Sequence, residues 1–127
     1  MLVRETEVEA WRDAEALIEH ATDRQREHVR TMWDESQANT RMKELAQAEG
    51  FRIAPHLWSG VSSVRPGAGV VVVGNPEQVA ATLQEFVDLG CTDFCLSGYP
   101  HHEEAERFGR LVMPYFRRAL QPSATSA

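Results

Sequence analysis

Two cysteines in 127 residues are too few to staple a domain of this size. The C-x-x-x-C spacing of Cys91 and Cys95 matches neither a C-x-x-C redox pair nor a zinc knuckle. Both are expected as reduced, half-buried thiols. Basic residues are scarce as well: 13 Lys and Arg face 19 Asp and Glu, a formal charge of -6. Neutralising a phosphate backbone needs cations in local excess, and no such cluster exists, so nucleic acid is excluded as a partner. No apolar run approaches the ~20 residues that cross a bilayer. The start, Met1-Leu2-Val3-Arg4-Glu5, lacks the basic-then-apolar order of a secretory leader, so the expected compartment is the cytoplasm. With 43% hydrophobic and 25% charged residues, the chain has the composition of a globular protein, not of a disordered, collagen-like or coiled-coil one.

What is present reads as an α/β pattern. Thr6-Glu7-Val8-Glu9 is a capping box, and Val8, Trp11, Ala14, Leu17, Ile18 and Ala21 recur behind it at helical spacing. Met1-Leu2-Val3 in front of it reads as the end of a strand. From Thr22 to Gly50 the chain has no proline, no internal glycine and few apolar positions, which predicts a helical excursion with little burial to hold it. Gly50 is a candidate helix stop, and the prolines and glycines from Pro55 to Gly69 predict little regular structure. Val70-Val71-Val72-Val73 between Gly69 and Gly74 is a β-branched run of the kind found in parallel strands buried on both faces.

Asn75-Pro76-Glu77-Gln78 then supplies an N-cap, an N1 proline and an acidic first turn. Val79, Leu83, Phe86 and Leu89 continue the helix to Gly90. Phe94-Cys95-Leu96-Ser97 predicts a second short strand. His101 to Met113 predicts another helix, with a kink or end at Pro114. Residues 70–113 thus read as a βαβα unit, and 122–127 as a disordered tail. Parallel strands of this kind lie in a sheet covered on both faces or in a barrel ringed by helices, with chemistry at their carboxyl ends. Those ends fall at Gly74-Asn75 and Ser97-Gly98-Tyr99.

Several words of the sequence, in order, resemble a known family. They are His56-Leu57-Trp58-Ser59-Gly60-Val61, Val64-Arg65-Pro66-Gly67-Ala68-Gly69, Val73-Gly74-Asn75-Pro76-Glu77, and Leu96-Ser97-Gly98-Tyr99-Pro100-His101 followed by Glu103-Glu104-Ala105. This series is similar to the C-terminal part of the alkanesulfonate monooxygenases, within the bacterial luciferase-like group of reduced-flavin-dependent enzymes. The resemblance covers residues 1–121, and only about the last third of the family's chain. It implies a segment running from the end of strand six through helix eight of a (β/α)8 TIM barrel, helix-rich and with about two short parallel strands. It also implies FMNH2 supplied by a separate NAD(P)H-dependent flavin reductase, oxygen as oxidant, and an alkanesulfonate cleaved to aldehyde and sulfite. Residues 22–50 coincide with the family's lid insertion.

The resemblance carries two site residues to this chain: Arg65, at the edge of the lid, and Tyr99, after the eighth strand. Their chemistry suits the role. A guanidinium that cannot deprotonate binds a three-oxygen sulfonate, or a flavin peroxide anion, through forked hydrogen bonds. A phenol at the end of a strand donates to sulfonate or peroxide oxygen and serves as an acid. Ser97 and Gly98 are expected near the flavin, although the family builds its phosphate site mostly from other segments. The ordinary alternatives are a solvated loop arginine and a tyrosine that packs its ring. His101-His102-Glu103-Glu104 lacks the H-E-x-x-H frame, so no metal is expected. Trp11, Trp33 and Trp58 read as packing residues.

The length bears on all of this. A barrel typically takes ~250 residues, so the chain is expected to be an incomplete barrel, active with an N-terminal barrel fragment or as a homo-oligomer. The alternative is an inactive remnant or a non-catalytic interaction module that uses open strand edges and the apolar face of the first helix.

Overall fold

Thr6 opens the first helix through its predicted capping box. Its hydroxyl accepts from the Glu9 amide while the Glu9 carboxylate accepts from the Thr6 amide. The computed structural model describes residues 1–32, 40–41, 44–45, 47–65 and 69–119, of 117–119 the backbone alone. The first strand, β1, is Leu2–Val3, and helix α1 spans Glu7–Glu19. Helix α1 buries Ala10, Trp11 and Ala14, whereas Val8, expected on the same stripe, is 78% exposed. At 3.6 residues per turn, Val8 lies more than a quarter turn from the centre of the buried face. Helix α2, Asp23–Met32, buries Val29 alone, in keeping with the thin stripe expected of it. Most of the rest of the 22–50 excursion, with Trp33, lies outside the described residues, as does the 122–127 tail.

The stretch expected to be irregular contains a hairpin. Strand β2, Arg52–Ala54, turns at Pro55-His56 into β3, Leu57–Trp58, and the two pair antiparallel. Gly50, ahead of them, has φ 60, the left-handed conformation that glycine adopts without steric cost. Strand β4, Val71–Gly74, starts one residue later than the valine run suggested and is buried at every position. It pairs parallel with β1, Leu2 opposite Val73, and antiparallel with β3, Trp58 opposite Val71. The sheet order is β1-β4-β3-β2.

Period-two alternation along β1 and β4 divides the core between the two faces. Leu2, Val71 and Val73 pack with Ala10, Trp11, Ala14, Trp58 and Val61 under α1. Val3 and Val72 pack on the other face with Val79, Ala80, Leu83 and Val112. The second face is covered by α3, Pro76–Asp88, α4, His101–Leu111, and α5, Met113–Ala119. The architecture is therefore mixed α/β, a small mixed sheet with helices on both faces and not a closed barrel.

Helix α3 begins as predicted: Asn75 Oδ1 accepts from the Gln78 amide and Gln78 Oε1 from the Asn75 amide, both at 2.9 Å. Val79 and Leu83 are buried, but Phe86 and Leu89 are 39% and 86% exposed. Pro114 breaks the last helix as expected and occupies the first turn of α5, where its missing N–H costs nothing.

The second expected strand does not form. Both edges of β4 are taken by β1 and β3, so Phe94–Ser97 has only two-residue β1 beside it. One bond results, from the Met1 amino group to the Ser97 carbonyl at 2.6 Å. Phe94 and Leu96 stay about 40% and 39% exposed. The expected βαβα unit is thus a strand, a helix, an irregular segment and a helix, and the two parallel strands are β1 and β4. Cys91 is half-buried, as expected, but Cys95 on this segment is exposed.

Candidate functional site

Arg65 and Tyr99 meet. The turn of 3-10 helix at Gly60–Ser63 ends in Val64, and the amides of Val64 and Arg65 both donate to the Val61 carbonyl at 3.1 and 3.0 Å. Val61 is buried beneath α1, so the backbone of Arg65 is tied to the core while its side chain is exposed. A Cβ at Gly60 would overlap the indole of buried Trp58, so the turn can approach the core this closely only with glycine there. Tyr99 enters from the irregular segment and packs against the same core cluster.

The Arg65 guanidinium carbon lies 4.0 Å from the centre of the Tyr99 ring, a cation–π stack. His101 sits against the same tyrosine, with ring centres 4.9 Å apart and planes tilted by 53°. Stacking engages the face of the guanidinium and leaves its N–H edges available for a planar or forked acceptor.

These two residues border a pocket of about 470 Å³, within the ~300–1,000 Å³ range of small-molecule sites. Its apolar wall comes from Leu17, Ala21, Val61 and Val64. His20 and Gln25, which sequence reasoning did not single out, complete its polar side. The only signal for them was position, at the end of α1 and the start of the excursion. Among the described residues no carboxylate lines this pocket, in a chain whose formal charge is -6. Among the described residues of the 22–50 excursion, Gln25 on α2 reaches the pocket.

Ser97 and Gly98 do not line that pocket. They border a second cavity of about 120 Å³, which Tyr99, Leu17 and Val61 share with the first, and a third of about 280 Å³, shared with Phe94, Leu96 and His101. Each is smaller than the ~300 Å³ lower bound of cofactor sites. A Cβ at Gly98 would overlap the side chain of Glu104, so packing already uses the space above that glycine. By themselves these two residues do not make a flavin cradle.

The carboxyl end of β4, at Gly74-Asn75, one of the two places where chemistry was expected, holds a polar cluster whose groups engage one another. Asn75 caps α3, Gln78 Nε2 donates to Glu7 at 2.9 Å, and His56 Nδ1 lies 3.1 Å from the Val73 carbonyl. The Arg52 guanidinium stacks 3.5 Å from the Trp11 ring. The Gln78 hydrogen bond, opposed by burial and aided by the charges of His56 and Arg52, holds the Glu7 carboxyl below its usual range. Ser97-Gly98-Tyr99, the other place where chemistry was expected, shares a cavity with Gly69, Val70 and Val71 at the amino end of β4.

Glu104, 3% exposed, anchors the segment that carries Tyr99. It accepts from Arg4 at 2.9 and 3.1 Å and from Arg107 at 2.6 Å. Arg4 also holds Asp13 at 2.6 Å. Burial works against the Arg4 cation, but its bonds to Glu104 and Asp13 outweigh that and raise its pKa. Trp11 and Trp58 are buried packing residues. Among the described residues no group of three or more His, Cys, Asp or Glu is placed to hold a metal. No helix among them is long and apolar enough to cross a membrane. No protein-family model matches the chain.

Proposed function

We propose that this chain is the C-terminal, substrate-headgroup segment of a reduced-flavin-dependent monooxygenase acting on alkanesulfonates. One observation carries the reading: Arg65 and Tyr99, the two residues singled out by the motif resemblance, stack at 4.0 Å on the rim of one pocket with an apolar wall. Arg65 binds the sulfonate through the N–H edges of its guanidinium. Tyr99 donates a hydrogen bond to the same headgroup and acts as the acid in carbon–sulfur cleavage. Leu17, Val61 and Val64 take the alkyl chain, and the α2 segment covers it. Reduced FMN from a separate NAD(P)H-dependent reductase, with O2, supplies the oxidation; aldehyde and sulfite leave. In this reading the chain works in the cytoplasm as part of a (β/α)8 barrel, completed by an N-terminal barrel fragment or by other copies. Sulfite release from an alkanesulfonate, FMNH2 and O2, with the upstream barrel segments supplied, tests it. No sulfite from the completed assembly would sink it.

Exposed Leu89, Phe94 and Leu96 favour a second reading, a non-catalytic interaction module that pairs through this apolar segment. A stable complex with a partner unrelated to flavin enzymes, lost in Phe94→Ser, supports that alternative. A monomer in sedimentation with no partner recovered counts against it.

A further inference from the structure

The pocket beside Arg65 shares a wall with the second cavity. Leu17, Val61 and Tyr99 line both spaces. All three belong to one packed cluster, Val61 buried in it and Leu17 and Tyr99 partly buried against it. Residues that face two cavities at once form a partition one side chain deep. The guanidinium lies on one side of it only, because Arg65 borders the first pocket and not the second.

Beyond the partition the apolar walls are Leu2, Val70 and Val71, and among the described residues no charged side chain lines that space. The Met1 amino group at its edge is held by the Ser97 carbonyl at 2.6 Å. An organic anion bound through its headgroup at Arg65 therefore meets charge at one end and apolar surface past Leu17 at the other. A dry cavity of ~150 Å³ takes a benzene ring, so one of about 120 Å³ takes roughly four or five tail carbons. Val70 borders the second cavity and not the first. It directly precedes β4, is 38% exposed and belongs to neither buried cluster.

We propose that the two cavities form one site for an anionic amphiphile, in which the second receives the end of an unbranched alkyl tail and Val70 sets the tail length accepted. The inference rests on the Arg65–Tyr99 pocket being an anion site.

Calorimetric titration of the purified chain with ethane-, butane-, hexane-, octane- and decanesulfonate separates head from tail, because the headgroup is constant along the series. Affinity is expected to rise by about fourfold for each methylene that becomes fully buried, equivalent to ~0.8 kcal/mol, and to level off once both cavities are filled. Val70→Trp fills the second cavity. It weakens the longest homologues by about tenfold or more, the loss of two or more buried methylenes, and leaves ethanesulfonate unchanged. Val70→Ala enlarges the same cavity and moves the levelling-off to longer tails. Because Val70 is outside the core, both variants keep the parent's far-UV circular dichroism spectrum. Arg65→Ala weakens every homologue by a similar factor. Affinity independent of tail length, a Val70→Trp loss that is equal for all homologues or absent, or a shift to shorter tails in Val70→Ala overturns the tail site while leaving the anion pocket standing. No binding of any homologue, or an Arg65→Ala variant that binds like the parent, overturns the pocket reading and this inference with it.

Discussion

In the function proposed above, Arg65 and Tyr99 divide the work of the site by the chemistry of their side chains. On the monooxygenase reading, Arg65→Ala in the assembly with the upstream barrel segments removes the headgroup fork. It is expected to raise KM for the sulfonate and lower kcat/KM by about 100-fold or more, the scale of a lost charge-assisted contact of ~3 kcal/mol. Tyr99→Phe keeps the ring under the guanidinium and removes only the hydroxyl, so kcat falls by about 100-fold or more, as for a lost general acid. Steady-state sulfite release separates the two, and unchanged kinetics would remove either assignment. Two further residues test the frame around the site. Gly60→Ala drives a methyl group into Trp58 and is expected to cost about 1–3 kcal/mol in urea unfolding. Glu104→Ala leaves Arg4, 15% exposed in its side chain, without its buried partner, at a cost of about 3–5 kcal/mol. A loss under 1 kcal/mol would show that water replaces the carboxylate freely.

At the scale of the element, stability should follow the caps. Asn75→Ala removes the acceptor for the Gln78 amide and is expected to cost about 1 kcal/mol, measured from the urea midpoint. The same chemistry explains which elements were legible. Thr6 with Glu9, and Asn75-Pro76 with Gln78, spell helix starts in local residue types, and both helices begin where those residues stand. The valine run gave β4 to within one residue. The β2–β3 hairpin was missed because strands of three and two residues around Pro55 leave no periodicity to read. Phe94–Ser97 was misread for the opposite reason: its composition suits a strand, but a strand also needs a free edge of adequate length, which is a property of the whole sheet. The pocket was half legible. Motif words pointed to Arg65 and Tyr99, whereas His20 and Gln25 belong to it through the packing of α1 and α2 against the turn that carries Arg65.

The acid side of the stability profile belongs to the molecule as a whole. The Arg4 hydrogen bond, opposed by burial and aided by Arg12, holds the Asp13 carboxyl below its ordinary value, and Glu7 is lowered in the same direction. A carboxyl with a depressed folded-state pKa stabilises the fold above its unfolded value, and that contribution is lost as pH falls through the folded one. Urea midpoints should therefore be flat from neutrality to about pH 5 and fall below about pH 4. Asp13→Asn should lower the neutral plateau and shorten the fall; an identical acid limb in that variant would remove Asp13 from the account. The pairing of Leu2 with Val73 also sets a schedule for synthesis. At about 5–20 residues per second, the first strand waits roughly 4–14 s for its partner to be made, and Arg4 waits longer still for Glu104. Until then α1 has no sheet to lie on, so during translation its Trp11 face is open to chaperones and to neighbouring nascent chains.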